Sequence, residues 1–291
     1  LFACVMVLSM VGPAAAASKL NTDASKKSLS DTAGGVVAQQ VGVDPNDLSG
    51  DGSISDPYEI SNASELQAME DDLDANYTLV SDIDASDTAQ FNNGDGFEPI
   101  GNSSSEFNGS LDGNGHTVRG LTINRSSGGE FVGLFGVIRS GTVRDITLKA
   151  VALTGDFETG GVAGSARGNS RIQNVSIFGT VSSGFSPGGL VGEVRGNTIV
   201  QNVTANVNVT ADPGDSAAGG LIGQVRDSAR VSNAVARGNV TGVSGVGGLV
   251  GSNDGTIQNA LAAGSVTGRG SGVGGLVGFN DGNITTALAA G

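Results

Sequence analysis

From residue 57 onward the chain alternates short runs of small aliphatic residues with turns rich in Gly, Asn and Asp. In residues 203–210, Val203, Ala205, Val207 and Val209 alternate with Thr204, Asn206, Asn208 and Thr210. This is the period of a strand with one buried face. A helix is predicted once, upstream of the regular pattern. There Asn62 fits an N-cap, Glu65 follows three residues later as in a capping box, and Leu66, Met69 and Leu73 share a face. Tyr77, Leu79, Ser81 and Ile83 then alternate with Thr78, Val80 and Asp82 as in a strand. The turn Asp112-Gly113-Asn114-Gly115 separates strand signals at 107–111 and 117–123.

Related pentapeptides, such as VGLFG at 132–136 and GGLVG at 188–192, begin at Val132, Gly160, Gly188, Gly219, Gly247 and Gly274. Their starts lie 28, 28, 31, 28 and 27 residues apart. A propeller blade needs about 40 residues or more, so this period predicts a solenoid. Parity adds detail. Ile172 and Val175 are an odd three apart, and both face inward only if the chain bends at Asn174. Asp145, Asn202, Asn233 and Asn259 occupy the same place in the other periods. In coils stacked about 4.8 Å apart these five residues form a corner ladder. Asparagine suits such a corner because it tolerates left-handed backbone and its amide bonds to the layers above and below. The expected fold is all-β: a right-handed parallel β-helix of roughly 28-residue repeats with an N-terminal capping helix.

The pentapeptides and their spacing resemble GLUG-motif repeats, which occur in bacterial and archaeal exported proteins, including adhesin-like surface proteins and some large secreted peptidases. Pro57-Tyr-Glu-Ile60, the helix at 65–69, Ser81-Asp-Ile-Asp84, Phe97-Glu-Pro-Ile-Gly101 and Leu111-Asp-Gly-Asn-Gly-His-Thr-Val118 look like the region that precedes such repeats. The resemblance spans residues 56–291. It implies an architecture and an exported surface protein, and it brings no catalytic motif; the chain has no His-Glu-x-x-His. The expected organisation is a signal peptide at 1–17, an acidic flexible linker at 18–56, a cap with the first coils at 57–131, and six repeats at 132–291. The last repeat is incomplete, because Gly291 aligns with Gly264. The sequence is therefore expected to be a fragment at both ends.

Composition sharpens this picture. With 38% apolar, 4% aromatic and 15% charged residues, 49 glycines and no Trp, the core must be built from thin layers of small aliphatics. No Gly-X-Y triplet runs through the chain, which excludes collagen. Residues 1–17 are uncharged, apolar and end in Ala15-Ala16-Ala17, as a secretory signal does; they are too short for an expected transmembrane span. The sole cysteine, Cys4, lies inside this leader, so a mature protein has no disulfide. The net charge of −14 is concentrated: residues 18–100 carry 17 acids against three lysines, whereas 101–291 is neutral. No basic patch exists, which disfavours nucleic acid as a partner. The excess of 21 Asp over 8 Glu fits a salt-loving organism.

Candidate chemistry is sparse. His116 is the only histidine and sits at a Gly-rich turn, so neither a catalytic triad nor a multi-histidine metal site can form in the usual way. Polysaccharide cleavage needs two carboxyls about 5–10 Å apart, for which Glu98, Glu106 and Asp112 are the available set. Asp47, Ser49 and Asp51 followed by Gly52 resemble the start of a calcium loop, but Tyr58 stands where a bidentate Glu is required. Ca2+ is thus the one cofactor to test. Ten Asn-x-Ser/Thr sequons occur; Asn108, Asn124, Asn208 and Asn239 are the glycosylation candidates, while Asn174 and Asn202 belong to the ladder. The expected function is that of a non-enzymatic, secreted or cell-surface protein presenting a β-helical face to surface glycans, neighbouring cells or envelope components. The alternatives are a secreted polysaccharide-acting enzyme and a passive stalk for a further domain.

Overall fold

The structure, a computed structural model, describes Val43, residues 47–212 and residues 217–291. The leader at 1–17 and most of the linker at 18–56 lie outside the described residues. The strands stack in parallel into a β-solenoid of about six turns. One sheet of 14 strands has a spine formed, in order, by Tyr58–Ile60, Asn76–Leu79, Ser110–Asp112, Thr142–Gly155, Arg171–Ser183, Ile199–Ala211, Arg230–Ala236, Thr256–Ala262 and Asn283–Ala289. Two six-stranded sheets complete the coil. The second runs from Phe131–Val132 to Val273–Gly274, and the third from Phe135–Arg139 to Val277–Asn280. The core is a stack of Val, Ile, Leu and Ala, with the larger Phe97, Phe107 and Phe135 confined to the N-terminal coils.

The long strands do not run straight. Asp145, Asn174, Asn202, Asn233 and Asn259 all adopt left-handed backbone, with φ of 55°, 55°, 55°, 51° and 53°. This turn lets Ile172 and Val175 both face the core despite their odd separation. Thr286, in the same register beyond Asn259, has φ 52° and continues the corner into the last coil. A second irregularity leaves no mark in the alternation of residues. Ala150 (φ 53°) is an extra residue that shifts the register against the strand Arg171–Ser183, where Gly179 lies so close that a Cβ would stand 2.1 Å from Val151 O. A bulge of this kind leaves one residue unpaired and bends the strand. At 112–115 the chain also turns a coil corner, with Asn114 at φ 50° and Gly115 at φ 81°. The flanking strands Ser110–Asp112 and Thr117–Arg119 both pair in parallel with Thr142–Gly155.

The repeated pentapeptide marks the bend between the second and third sheets. Its leucine or equivalent, such as Leu190, enters the core. Its last glycine meets backbone of the second sheet: a Cβ on Gly164 would lie 2.7 Å from Phe131 Cα, on Gly192 2.7 Å from Thr159 N, and on Gly251 2.4 Å from Ala217 C. The two short-strand sheets approach too closely for any side chain at this place.

The predicted helix is α1 (Ala63–Gln67), continued by a 3-10 turn at Ala68–Asp71, and is shorter than its sequence pattern. Asn62 Oδ1 accepts from Glu65 N at 3.0 Å, and the Glu65 carboxylate accepts from Ser61 N at 2.6 Å. Leu66 and Met69 fill the core of the first coil. Residues 47–56, read from composition as part of the flexible linker, are folded onto this coil. Leu48 is buried, Glu59 N donates to Ser49 O, and Asn76 N donates to Gly52 O, each at 2.9 Å. Composition alone misreads them because their contacts are made by backbone and glycine rather than by apolar side chains.

Asn202→Ala should lower the urea midpoint, at a cost of about 2–3 kcal/mol, because it loses ladder hydrogen bonds and forces alanine into left-handed backbone. Asn202→Gly should cost about 1 kcal/mol less, since glycine keeps the turn. Gly192→Ala should destabilise by about 1–3 kcal/mol through overpacking against Thr159, read by thermal unfolding.

Candidate functional site

At the corner, the ladder is a continuous chain of amides. Asn174 Nδ2 donates to Asp145 Oδ1 at 2.8 Å, Asn202 to Asn174 at 3.1 Å, Asn233 to Asn202 at 2.9 Å and Asn259 to Asn233 at 3.3 Å. Asp145 heads the chain because a carboxylate only accepts; Arg144 Nη1 lies 3.4 Å from its other oxygen. The ladder is exposed, so its role is to hold coil register at the surface.

Two sequon asparagines form a second row. Asn208 Oδ1 accepts from Asn239 N, and Asn239 Oδ1 from Ser265 N, both at 3.1 Å. These bonds use the carbonyl oxygens and leave each Nδ2, the glycan-accepting atom, at the surface. Asn124 is exposed as well. Asn108 donates its Nδ2 to Asp74 Oδ1 at 3.1 Å and to Glu106 O at 3.2 Å, which ties up the atom that a glycan requires.

Glu98, Glu106 and Asp112 do not gather. Glu98 is paired with Arg125, Glu106 is held between Arg139 and Arg167, and Asp112 is paired with Arg144. Glu98 and Asp112 line different cavities. Composition could not reveal this, because each arginine comes from a later coil stacked on its acid. His116 Nδ1 lies 3.2 Å from Asp82 Oδ1. The Thr117 N–H and then His116 hold the Asp82 carboxyl below the usual carboxylate range.

The calcium-like loop closes on itself. Asp51 Oδ1 accepts from Ser53 N at 2.9 Å in an Asx turn, and the Ser53 hydrogen bonds lower the Asp51 pKa. Ser49 contributes its backbone to Glu59, and Tyr58 packs its ring 5.6 Å from that of Tyr77. Asp47, Ser49 and Asp51 therefore do not fit a calcium ion: the chelating twelfth position is an aromatic in a strand. Among the described residues no three His, Cys, Asp or Glu side chains gather to hold a metal.

One carboxylate site is not marked by any sequence pattern. A cleft of about 550 Å³ beside α1 is lined by Glu70, Glu98, Arg125, Glu130 and Phe131, among others. Buried Gln67 builds it: its Nε2 donates to Glu98 O at 2.9 Å and Glu70 Oε2 at 3.2 Å, and its Oε1 accepts from Glu98 N at 2.8 Å. Burial, and then the negative charge of Glu98, push the Glu70 carboxyl up to about 7, while Arg125 stands against Glu98. A carboxyl raised to about 7 and lying beside a second carboxyl is raw material for acid–base chemistry. Only Glu98 of this pair stood out in the sequence, because Glu70 looks like one more acid in an acidic segment.

This architecture places the chain among parallel β-solenoids. A sequence model of the M26 IgA1-specific metallo-endopeptidase N-terminal region matches residues 60–179. A stretch of 140 residues is 41% identical to halomucin of Haloquadratum walsbyi, covering 46% of this chain and 2% of halomucin. A stretch of 138 residues is 38% identical to a protein of Evansella cellulosilytica assigned as a Gly-rich membrane protein, covering 44% of this chain and 15% of that one. The chain thus spans a small part of the length of these curated relatives. The crystal structure of a Bacteroides ovatus protein assigned as an immunoglobulin A1 protease shares the fold, with a TM-score of 0.61 at 23% identity, over 81% of this chain and 77% of that one. These similarities fit an exported repeat protein. No helix among the described residues is long and apolar enough to cross a membrane.

Glu70 sets a pH dependence. A carboxyl whose pKa is raised on folding binds its proton more tightly in the folded state, so it weakens stability as pH climbs from about 4.5 towards 7 and beyond. Glu70→Gln should therefore stabilise the protein by about 1–2 kcal/mol at pH 8, after allowance for a half-exposed group, and leave it nearly unchanged at pH 4. Thermal melts at the two pH values check this.

Proposed function

We propose that the chain is a non-enzymatic, exported cell-surface module: a β-solenoid, adhesin-like, that binds surface glycans or envelope components along its stacked coils. The observation that carries this reading is the distribution of chemistry over the solenoid. Polar side chains such as Thr204, Asn206 and Asn208 recur on the surface of the long strands, while Glu98, Glu106 and Asp112 are each neutralised by arginine. Halomucin and the Gly-rich membrane protein, as similar sequences, support a place at the cell surface or outside it. Sequons at Asn208 and Asn239, with Nδ2 at the surface, suit a glycoprotein.

A second reading rests on the cleft at α1. There Glu70 would donate a proton and Glu98 would act as the ionised partner in cleaving a polysaccharide. The ion pair with Arg125 argues against it, because the Glu98 carboxylate is already engaged by a guanidinium that a substrate would have to displace. Purified protein incubated with a panel of polysaccharides, with retention and newly released reducing ends measured together, separates the two. Retention without release is the expected result. Release that disappears in Glu98→Gln overturns the binding reading in favour of the enzyme, and a native protein found in the cytosol overturns the surface assignment.

A further inference from the structure

The residue that follows each pentapeptide was not singled out by the repeat pattern. In the structure these residues stack in register along the third sheet: Val137, Ser165, Glu193, Gln224, Ser252 and Phe279. A second row comes from the loops three residues before the pentapeptides, with Phe157, Phe185, Ser244 and Ser271. The rows face each other where the second and third sheets part. Gln224 Nε2 reaches Ser186 Oγ across this line, and the Phe279 ring lies over Gly245 and Gly272, where a Cβ would meet it at 3.2 Å and 2.3 Å.

Exposed aromatic rings are concentrated here. Phe91, Phe97, Phe107 and Phe135 are buried, whereas Phe157, Phe185 and Phe279 are 46%, 39% and 43% exposed, all on this one axial line. Phe157 and Phe185 are a built feature. The buried Ser183 hydroxyl shares its one proton between Phe157 O and Phe185 O and accepts from Phe185 N at 3.3 Å, which ties the two backbones together, with ring centroids 6.2 Å apart. Between Phe185 and Phe279 lies a groove of about 330 Å³ lined by Ala217, Gln224, Ser244, Gly245, Ser252 and Ser271. No charged side chain lines it. Arg226 and Ser186 hold Gln224 in place as its floor. The hydroxyls of Ser244, Ser252 and Ser271 have no protein hydrogen bond among the described residues.

We propose that this groove binds a neutral polysaccharide strand laid along the solenoid axis, with sugar rings stacked on Phe185 and Phe279 and sugar hydroxyls bonded by Ser244, Ser252 and Ser271. The proposal rests on the glycan-binding reading above and locates it. A sugar ring presents an apolar C–H face to an aromatic and a rim of hydroxyls to its sides. The groove offers that combination, with aromatics at its ends and serines between. Charge decides the class. The groove itself is uncharged, and the charges beside it are balanced: Glu193 bridges Arg226 at 2.9 Å and Arg195 at 3.4 Å, with Glu158 as the second acid of the group, so nothing rewards an anionic chain. Coils repeat about every 4.8 Å, roughly the length of one sugar unit, so a strand parallel to the axis meets a hydroxyl at successive coils.

The test is affinity electrophoresis of the whole chain in native gels containing a neutral glucan or galactan, or anionic alginate. Variants Phe185→Ala, Phe279→Ala, the conservative Phe185→Tyr, and Ser104→Ala in an exposed loop of the N-terminal coils are run beside the parent, with circular dichroism to verify folding. The expected result is retardation in a neutral gel that weakens about tenfold in Phe185→Ala and in Phe279→Ala, survives in Phe185→Tyr and is unchanged in Ser104→Ala. Retardation that persists in both Phe185→Ala and Phe279→Ala, or that is lost in Ser104→Ala, overturns this site and leaves the binding reading standing. Retardation by alginate alone overturns the neutral class. A parent chain retarded by no polysaccharide overturns both the site and the glycan-binding reading.

Discussion

Coils that stack in parallel lie about 4.8 Å apart, and this spacing is the constraint from which the rest of the structure follows. Every residue must fit above and below its counterparts, so a backbone shape adopted once is adopted in each coil. The left-handed corner at Asn174 is matched at Asp145, Asn202, Asn233 and Asn259 for this reason, and Thr286 is drawn into the same shape without being an amide. The same constraint explains the glycines. Where the second and third sheets close on each other, Gly164, Gly192 and Gly251 have backbone within 3 Å of the place a Cβ would occupy. A side chain there would separate sheets in its own coil and in the neighbours stacked on it.

Stacking also governs the electrostatics. An acid in one coil is met by a basic residue roughly one turn later, as Glu98 is by Arg125, Glu106 by Arg139, and Asp112 by Arg144. Among the described residues Glu98 is the one acid of the acid-rich segment 18–100 that gains an arginine in this way, since Glu106 and Asp112 belong to the neutral part of the chain, so the excess of acids stays at the N-terminal end. Glu70 forms no ion pair of this kind with any described residue. Gln67 draws it against Glu98 in a half-closed cleft, and desolvation leaves its carboxyl poised near neutrality. The wide sheet and its amide ladders, by contrast, hold uncharged groups that bond from coil to coil.

Period, parity and the corner ladder could be read from residues alone, because each is a property of spacing: an odd interval between Ile172 and Val175 has a geometric solution, and asparagine is the residue that meets it. The helix start at Asn62 was legible too, since its capping partners are three residues apart in sequence. Calcium-like spacing at Asp47, Ser49 and Asp51 was legible and misleading. Its acceptors serve local turns, and a pattern of residue types does not say what the backbone nearby will donate.

What the amino-acid sequence determined by itself was thus the repeat, the layer thickness and the strand-and-turn composition of each coil, because these depend on neighbours a few positions apart. Only the tertiary structure decided which distant residues share a place. It separated Glu98 from Asp112, joined Glu98 to Glu70, folded 47–56 onto the first coil, and aligned Phe157, Phe185 and Phe279 with the serines between them. The physical reason is that such groups meet across coils some 28 residues apart, and that meeting depends on bends, bulges and close glycine contacts that set the path of the backbone.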